Sequence, residues 1–254
     1  PLATGVLPVA IGNGTKVLQF LLIAEKSYRA TLRLGVSTDT LDSEGKVIAR
    51  KELPENCVAR LNNALPEFLG TIQQVPPMYS ALKKNGVPLY KLARQGHTVE
   101  REARTVEISR LEILSIDLPD VTIEVDCSKG TYIRTLAEDI GQALGCGAHL
   151  KGLERTQTGN FQLSDALSIE ALEAIAVASR EKILLPIDAL LEGLSSIELT
   201  STETEEIKKG QSIDFMSKND KELRLYSASG QFVGVGQPDL KGRLFPKRLI
   251  VNIL

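Results

Sequence analysis

Cysteine and histidine are scarce in this chain of 254 residues. The three cysteines, Cys57, Cys127 and Cys146, are widely spaced and odd in number, so they form neither a disulfide framework nor a C-x-x-C metal knuckle. They read as structural thiols of a protein kept in a reducing cytoplasm. Two histidines, His97 and His149, argue against a histidine-based metal cluster. No run approaches the ~18 continuous apolar residues of a membrane span. Residues 1–10 carry no charge and are cut by Gly5 and Pro8, unlike a secretory signal. Neither G-x-G-x-x-G nor G-x-x-x-x-G-K is completed, so the pair Gly12-x-Gly14 does not amount to a phosphate cradle. The net charge is only -2, and a nucleic-acid partner would have to be met by local basic surfaces.

Such surfaces are present. Between Lys83 and Arg110 seven basic residues stand against three acids, a local balance of +4 that leaves the rest of the chain near -6. Lys241, Arg243, Lys247 and Arg248 put four positive charges within eight residues near the C-terminus. The stretch from Glu181 to Glu206 holds seven acids against Lys182 alone. This segregation suits a protein that grips phosphate with chosen surfaces, and it equally suits two solvated faces.

The composition, 43% hydrophobic and 24% charged, supports a full core and a split into one large and one small domain. Val6, Leu7, Val9 and Ile11 fit a buried strand, so the sequence is expected to begin inside an element. A short helix is expected over Lys16 to Leu22. SYRATLRLGV alternates Tyr28, Ala30, Leu32 and Leu34 against Arg29, Thr31 and Arg33, the period of a half-buried strand. Val58, Leu61, Leu65 and Phe68 place a helix over Asn56 to Phe68. Arg104 to Ile116 and Val121 to Cys127 read as strands, and Ile133, Leu136, Ile140 and Leu144 form a helical stripe ended by Gly145. Helices and strands mix without a repeated βαβ beat, which predicts an α+β fold with a mainly antiparallel or mixed sheet flanked by helices. After Leu190, LRLYSASGQFVGVGQ announces short strands joined by glycine turns, hence a small β-rich module of about sixty residues.

The sharpest local arrangement is Cys127-Ser-Lys-Gly-Thr-Tyr-Ile-Arg134, a strand that ends in a glycine turn and enters a helix. It delivers Lys129, Tyr132 and Arg134 near a helix N-terminus, where anions bind well. Arginine can fork onto a carboxylate or phosphate and tyrosine can stack on a base. The ordinary alternative is an arginine capping a loop and a tyrosine at the core edge. Tyr28 on its buried face has the ordinary reading of a tyrosine with one hydrogen-bond partner. Asp39 and Asp42 sit in the polar turn TDTLDSEG, where such residues are mostly structural.

Taken together, PLATGVLPVAIGNGTK, KSYRATLRLGVSTDTLDSEG, QVPPMYSALKKNGVPLYKLARQG, REARTVEI, CSKGTYIRTLAEDIGQALGCGAHL, LERTQTGNF and VGVGQPDLKGRLFPKRLIVNIL resemble, in order, the bacterial tRNA pseudouridine-55 synthase family, TruB. The resemblance implies a pseudouridine-synthase-like catalytic domain over residues 1–190, with an RNA-clasping insertion at about 75–104. It implies a PUA-like RNA-binding domain over 191–254. The family text before P-L-A-T-G reads G-H-x-G-T-L-D, so the nucleophilic aspartate is expected immediately before Pro1, preceded by the family's N-terminal segment. Asp39 and Asp42 match a different segment and are not assigned that role.

The implied reaction isomerises the T-loop uridine of tRNA without metal or organic cofactor: the glycosidic bond breaks, the uracil turns, and C5 joins the ribose. The base has to leave its stack for this. Tyr28 matches the tyrosine that stacks on the uracil and takes part at C5, and Arg134 matches the arginine that orients the nucleophilic aspartate. Tyr132 and Leu153 match positions around the base, with Lys129 beside them. Lys83, Lys84, Arg94 and Arg104 in the insertion and Lys247 and Arg248 near the C-terminus are the expected RNA contacts. The partner implied is the tRNA T arm, with no membrane and no required protein partner. Two other readings stay open on sequence: a tRNA-binding or RNA-folding protein without catalysis, and a synthase acting on another RNA such as rRNA.

Overall fold

The computed structural model describes residues 2–250; Pro1 and the last four residues of the closing motif, 251–254, lie outside them. In chain order the elements are β1 (Ala3–Gly5), α1 (Leu18–Ile23), β2 (Lys26–Leu34), β3 (Val36–Thr38), β4 (Val47–Arg50), α2 (Cys57–Ala64), β5 (Gly70–Gln74), β6 (Lys83–Lys84), β7 (Val87–Pro88), α3 (Leu89–Arg94), β8 (Arg104–Asp117), β9 (Asp120–Cys127), α4 (Ile133–Leu144) and β10 (Ala148–Thr158). There follow β11 (Phe161–Gln162), α5 (Ile169–Ala174), β12 (Ser196–Leu199), α6 (Ser201–Lys208), β13 (Ile213–Asp214), β14 (Leu223–Ser227), β15 (Phe232–Pro238) and β16 (Arg243–Leu249).

The alternating pattern of KSYRATLRL becomes β2, near the middle of a sheet ordered β1-β10-β2-β9-β8-β5. β1 runs parallel to β10 and every other neighbouring pair in that order is antiparallel. Ala30, Leu32 and Leu34 on one face of β2 are buried with Val121, Ile123 and Val125 of β9. The helical stripe Ile133, Leu136, Ile140 and Leu144 of α4 closes over them and joins the same core. Each such side chain contributes about 1.5–3 kcal/mol by leaving water. α2 is shorter than the expected helix and continues as a 3-10 turn over Leu65–Phe68. Its inner face is Cys57, Leu61 and Leu65; Val58 is exposed.

α4 lies against the start of β10 so closely that a Cβ on Gly141 would stand 2.2 Å from the Ala148 backbone nitrogen. Backbone cannot yield as a flexible side chain can. Gly141→Ala is therefore expected to lower unfolding stability by about 1–3 kcal/mol, read as a lower urea midpoint at unchanged slope. An unchanged midpoint would show that the helix and strand can separate at little cost.

The buried strand expected through Val6, Leu7, Val9 and Ile11 is not formed. β1 stops at Gly5, and Leu7, Val9 and Ile11 are exposed. Gly5 has φ +92°, and its Cα presses on the Arg155 backbone, where a Cβ would sit 2.2 Å from the carbonyl oxygen. This left-handed residue turns the chain off the sheet edge, and Pro8 has no N–H with which to rejoin a ladder.

Two compact units result. One holds Ala24–Thr158, Gln162–Ser164 and the residues up to Val6; the other holds Leu7–Ile23, Gly159–Phe161 and the chain from Asp165 onward. The stretch from Asp165 to about residue 190, expected in the first domain, packs with the second unit. The reason is packing: Leu191, Ile187 and Leu190 bury with Val17, Phe20 and Val235 in the second unit. Its sheet runs β12-β14-β15-β16-β13, and β14 and β15 form the hairpin expected around Ser229-Gly230. α6 begins with a capping box in which Thr200 and Glu203 satisfy each other's backbone N–H groups.

Candidate active site and RNA-binding surface

Several of the expected site residues converge on the first unit's sheet and on the start of α4. Tyr28 lies on β2 between Val125 of β9 and Arg155 of β10 in register, its ring packed at the edge of the core. Burial pushes its phenol above the ordinary value, while the Arg155 guanidinium works in the opposite direction. Arg155 is itself held by donating from Nε to the Val6 carbonyl at 2.7 Å. Leu153 on β10 faces Ala30 of β2 in register and packs against the same core. Lys129 is exposed in the turn before α4, and Tyr132 is the N-cap of that helix.

Arg134, on the first turn of α4, reaches three oxygens. Nη1 donates to Asp42 Oδ2 at 3.0 Å and to the Thr40 carbonyl at 3.3 Å, and Nη2 donates to the Tyr79 carbonyl at 2.6 Å. The Asp42 side chain is 8% exposed. Its Oδ1 accepts from the Thr40 hydroxyl at 2.5 Å and from the Glu44 backbone N–H at 3.2 Å, while Thr38 holds its backbone carbonyl. A carboxylate this buried and this fully bonded fixes the plane of the guanidinium. Three of the five guanidinium N–H groups are engaged in these contacts, which leaves two donors for a further partner.

On sequence Asp42 reads as part of a polar turn, and nothing there marks it as the partner of Arg134. Its partner is 92 residues away, and no local spacing announces the pair. Asp39 keeps the structural reading: it accepts from the Lys46 backbone N–H at 2.8 Å and closes the turn. Among the described residues, the carboxylate on Arg134 is Asp42.

The segment from Val75 to Arg104 leaves from the end of β5 and returns at the start of β8, where Gln74 and Arg104 are register partners. It is more than a loop. β6 and β7 form a short hairpin, α3 follows, and Leu89 is buried as its anchor. Lys83 and Lys84 are exposed on the hairpin, Lys84 donating to the Glu100 carbonyl at 2.9 Å. Arg94 lies over the Tyr90 ring at 5.6 Å, and Arg104 is exposed. In the second unit the terminal basic cluster is partly neutralised. Lys247 pairs with Glu222, and Arg243 pairs with Asp214 at 2.6 Å. Arg248 donates to Gln19 at 3.3 Å. The charge count of the sequence therefore overstates the field this cluster offers a phosphate.

The three cysteines are free and buried, and burial raises the Cys127 thiol to about 11. No helix among the described residues is long and apolar enough to cross a membrane.

Three family models match the chain in sequence: a TruB family pseudouridylate synthase N-terminal domain over residues 1–133, a tRNA pseudouridylate synthase B C-terminal domain over 134–192, and a pseudouridine synthase II TruB C-terminal domain over 195–250. The tRNA pseudouridine synthase B of Pseudomonas paraeruginosa is 46% identical, covering 98% of this chain and 84% of the relative. That of Chromobacterium violaceum is 48% identical, covering 99% and 83%. Among solved structures, a chain of a Cbf5-Nop10-Gar1 complex aligns over 95% of this chain and 68% of its own, with TM-score 0.70 and 26% identity. A chain of an H/ACA RNP bound to a substrate RNA aligns over 98% and 73%, with TM-score 0.71; at 22% identity it supports the fold alone.

Proposed function

Because the chain belongs to the TruB family of pseudouridylate synthases, we propose that it isomerises the T-loop uridine of tRNA at position 55 to pseudouridine. The observation that carries the reading is the Arg134 fork, braced by Asp42, Thr40 and Tyr79, on the same unit as Tyr28 and Leu153.

The target uridine is flipped from its stack, since neither C1′ nor C5 is reachable inside a folded loop. Tyr28 offers its ring to the flipped uracil, with Leu153 and Tyr132 bounding the base. The remaining donors of Arg134 orient the family's nucleophilic carboxylate and favour its ionised form, as a fixed guanidinium does for an adjacent acid. The C1′–N1 bond then breaks, the uracil turns while held by the stack, and C1′–C5 forms; C5 gives up its proton and N1, released from the ribose, gains one, which completes the product. The basic face of the insertion, with Lys83, Lys84, Arg94 and Arg104, clasps the T-arm backbone, and Lys129 lies beside the site. Lys247 and Arg248 serve the second unit's RNA surface. No protein partner and no cofactor are needed, and the buried free thiols fit the cytoplasm.

Conversion of uridine in a T-arm stem-loop tests the reading directly. Product is expected at that one uridine; product on rRNA with none on the T arm would overturn the choice of substrate. Binding should weaken with salt, because each neutralised phosphate releases counterions at about 0.7–0.9 per contact. Replacing Lys83, Lys84 and Arg94 with alanine together should flatten the slope of log affinity against log salt by roughly 2–3. An unchanged slope would remove the insertion from the RNA contact.

A further inference from the structure

Tyr132 is an unusual N-cap. Serine, threonine, aspartate and asparagine lead at that position because their side chains accept a hydrogen bond from an orphaned helix N–H, and Tyr132 makes no such bond. Its own backbone is instead gripped from outside. Gln74, 1% exposed, accepts from the Tyr132 N–H through Oε1 at 3.0 Å and donates from Nε2 to the Tyr132 carbonyl at 3.4 Å. The same carbonyl accepts the first helical bond of α4, from Leu136 N–H at 3.0 Å. The backbone N–H can only donate, so the carbonyl end of the Gln74 amide must face it. One buried side chain therefore closes both polar groups of the residue that starts the helix carrying Arg134.

Gln74 is also the last residue of β5, and its register partner Arg104 is the first of β8, so the insertion begins and ends on this rung. A second tie runs from the insertion to the same helix turn, from Arg134 to the Tyr79 carbonyl. We infer that Gln74 is a positioning residue: it locks the start of α4 to the root of the insertion and thereby sets the placement of Tyr132 and Arg134. The inference rests on the isomerase reading for its catalytic consequence. A local rule of helix capping is broken where a tyrosine is wanted beside the base, and a buried amide 58 residues away compensates for it.

The test uses the full-length protein, with Gln74→Met and Gln74→Glu. Methionine fills the space without either hydrogen bond. Its kcat should fall about tenfold or more, as expected for a catalytic group displaced by a fraction of an ångström, with KM changed by less than about threefold. Gln74→Glu carries the specific readout. Protonated, it has one carbonyl oxygen for the Tyr132 N–H and one hydroxyl for the Tyr132 carbonyl; ionised, it sets oxygen against oxygen. Burial raises the pKa of such a carboxyl, so turnover relative to the parent protein should rise as pH falls from about 8 to about 6.

Hydrogen exchange of the Tyr132 to Leu136 amides, read without substrate, should be faster in Gln74→Met and pH-dependent in Gln74→Glu. A Gln74→Met kcat within twofold of the parent, or a pH-independent ratio for Gln74→Glu, would overturn the positioning role. If the parent protein itself makes no pseudouridine, the isomerase reading fails and takes the catalytic role of Gln74 with it; the exchange measurement then reports separately on whether the clamp exists.

Discussion

Tyr28→Phe should lower kcat for pseudouridine formation by about 10²–10⁴-fold while tRNA affinity stays within about threefold. The ring is held by β2 between β9 and β10, so phenylalanine keeps the stacking surface in place. Only the hydroxyl is lost. That hydroxyl is neutral near neutral pH, because burial raises the phenol, and it lies beside the Arg155 guanidinium, which draws in the other direction. The reaction moves one proton from C5 to N1, so a neutral phenol would act as a relay, accepting the C5 proton as it passes its own on toward N1. Tyr28→Ala removes the stack as well, and base–aromatic stacking contributes about 1–3 kcal/mol, so this variant should lose affinity in addition to rate. Single-turnover kinetics with a filter-binding assay separates the two. Parental turnover in Tyr28→Phe would remove the hydroxyl from the chemistry.

Local periodicity made much of this scaffold readable. The alternation through Tyr28, Ala30, Leu32 and Leu34 and the stripe Ile133, Leu136, Ile140 and Leu144 each declare a buried face within one element, and both faces are buried in the same core. Local chemistry also made Cys127 to Arg134 legible as a strand, a turn and a helix start. What stayed hidden depends on partners far away in sequence. Asp42 looks like any other acid in a polar turn until the fold brings Arg134 to it. Gln74 looks like the end of an edge strand until Tyr132 arrives above it. Periodicity misled where one backbone angle outweighed it: Gly5 ends β1 and sends Leu7, Val9 and Ile11 outward despite their apolar character. Charge counting misled at β16, since Glu222 and Asp214 come from other strands or turns to meet Lys247 and Arg243. The resemblance to a family, more than any spacing, singled out Tyr28 and Arg134 from ordinary core-edge residues.

Arg134→Lys should be nearly as damaging as Arg134→Ala, with kcat lowered by at least about 10³-fold, an electrostatic loss comparable to removal of an oxyanion-hole donor. Lysine keeps the charge but is a point donor, and it cannot keep the contacts to Asp42 and two carbonyls while also serving the nucleophilic carboxylate proposed for this arginine. Asp42→Asn keeps the shape and removes the charge that steadies the fork. Its effect on kcat should be smaller, about 10²-fold, consistent with a misplacement of the guanidinium. The double variant decides whether Asp42 acts through Arg134. If it does, Asp42→Asn in the Arg134→Lys background should cost almost nothing further in kcat, because the group it steadied is gone. Additive losses would mean that Asp42 contributes by a separate route.

Stability should show a second asymmetry. Arg134→Ala strands the Asp42 carboxylate at 8% exposure with only the Thr40 hydroxyl and the Glu44 N–H to stabilise it, which should cost about 3–5 kcal/mol. Asp42→Asn leaves the cation with two carbonyl acceptors and partial access to water, and should cost less. Urea unfolding of both variants beside the kinetic cycle would place the buried pair as a stabilising contact and as the brace of the catalytic fork at once.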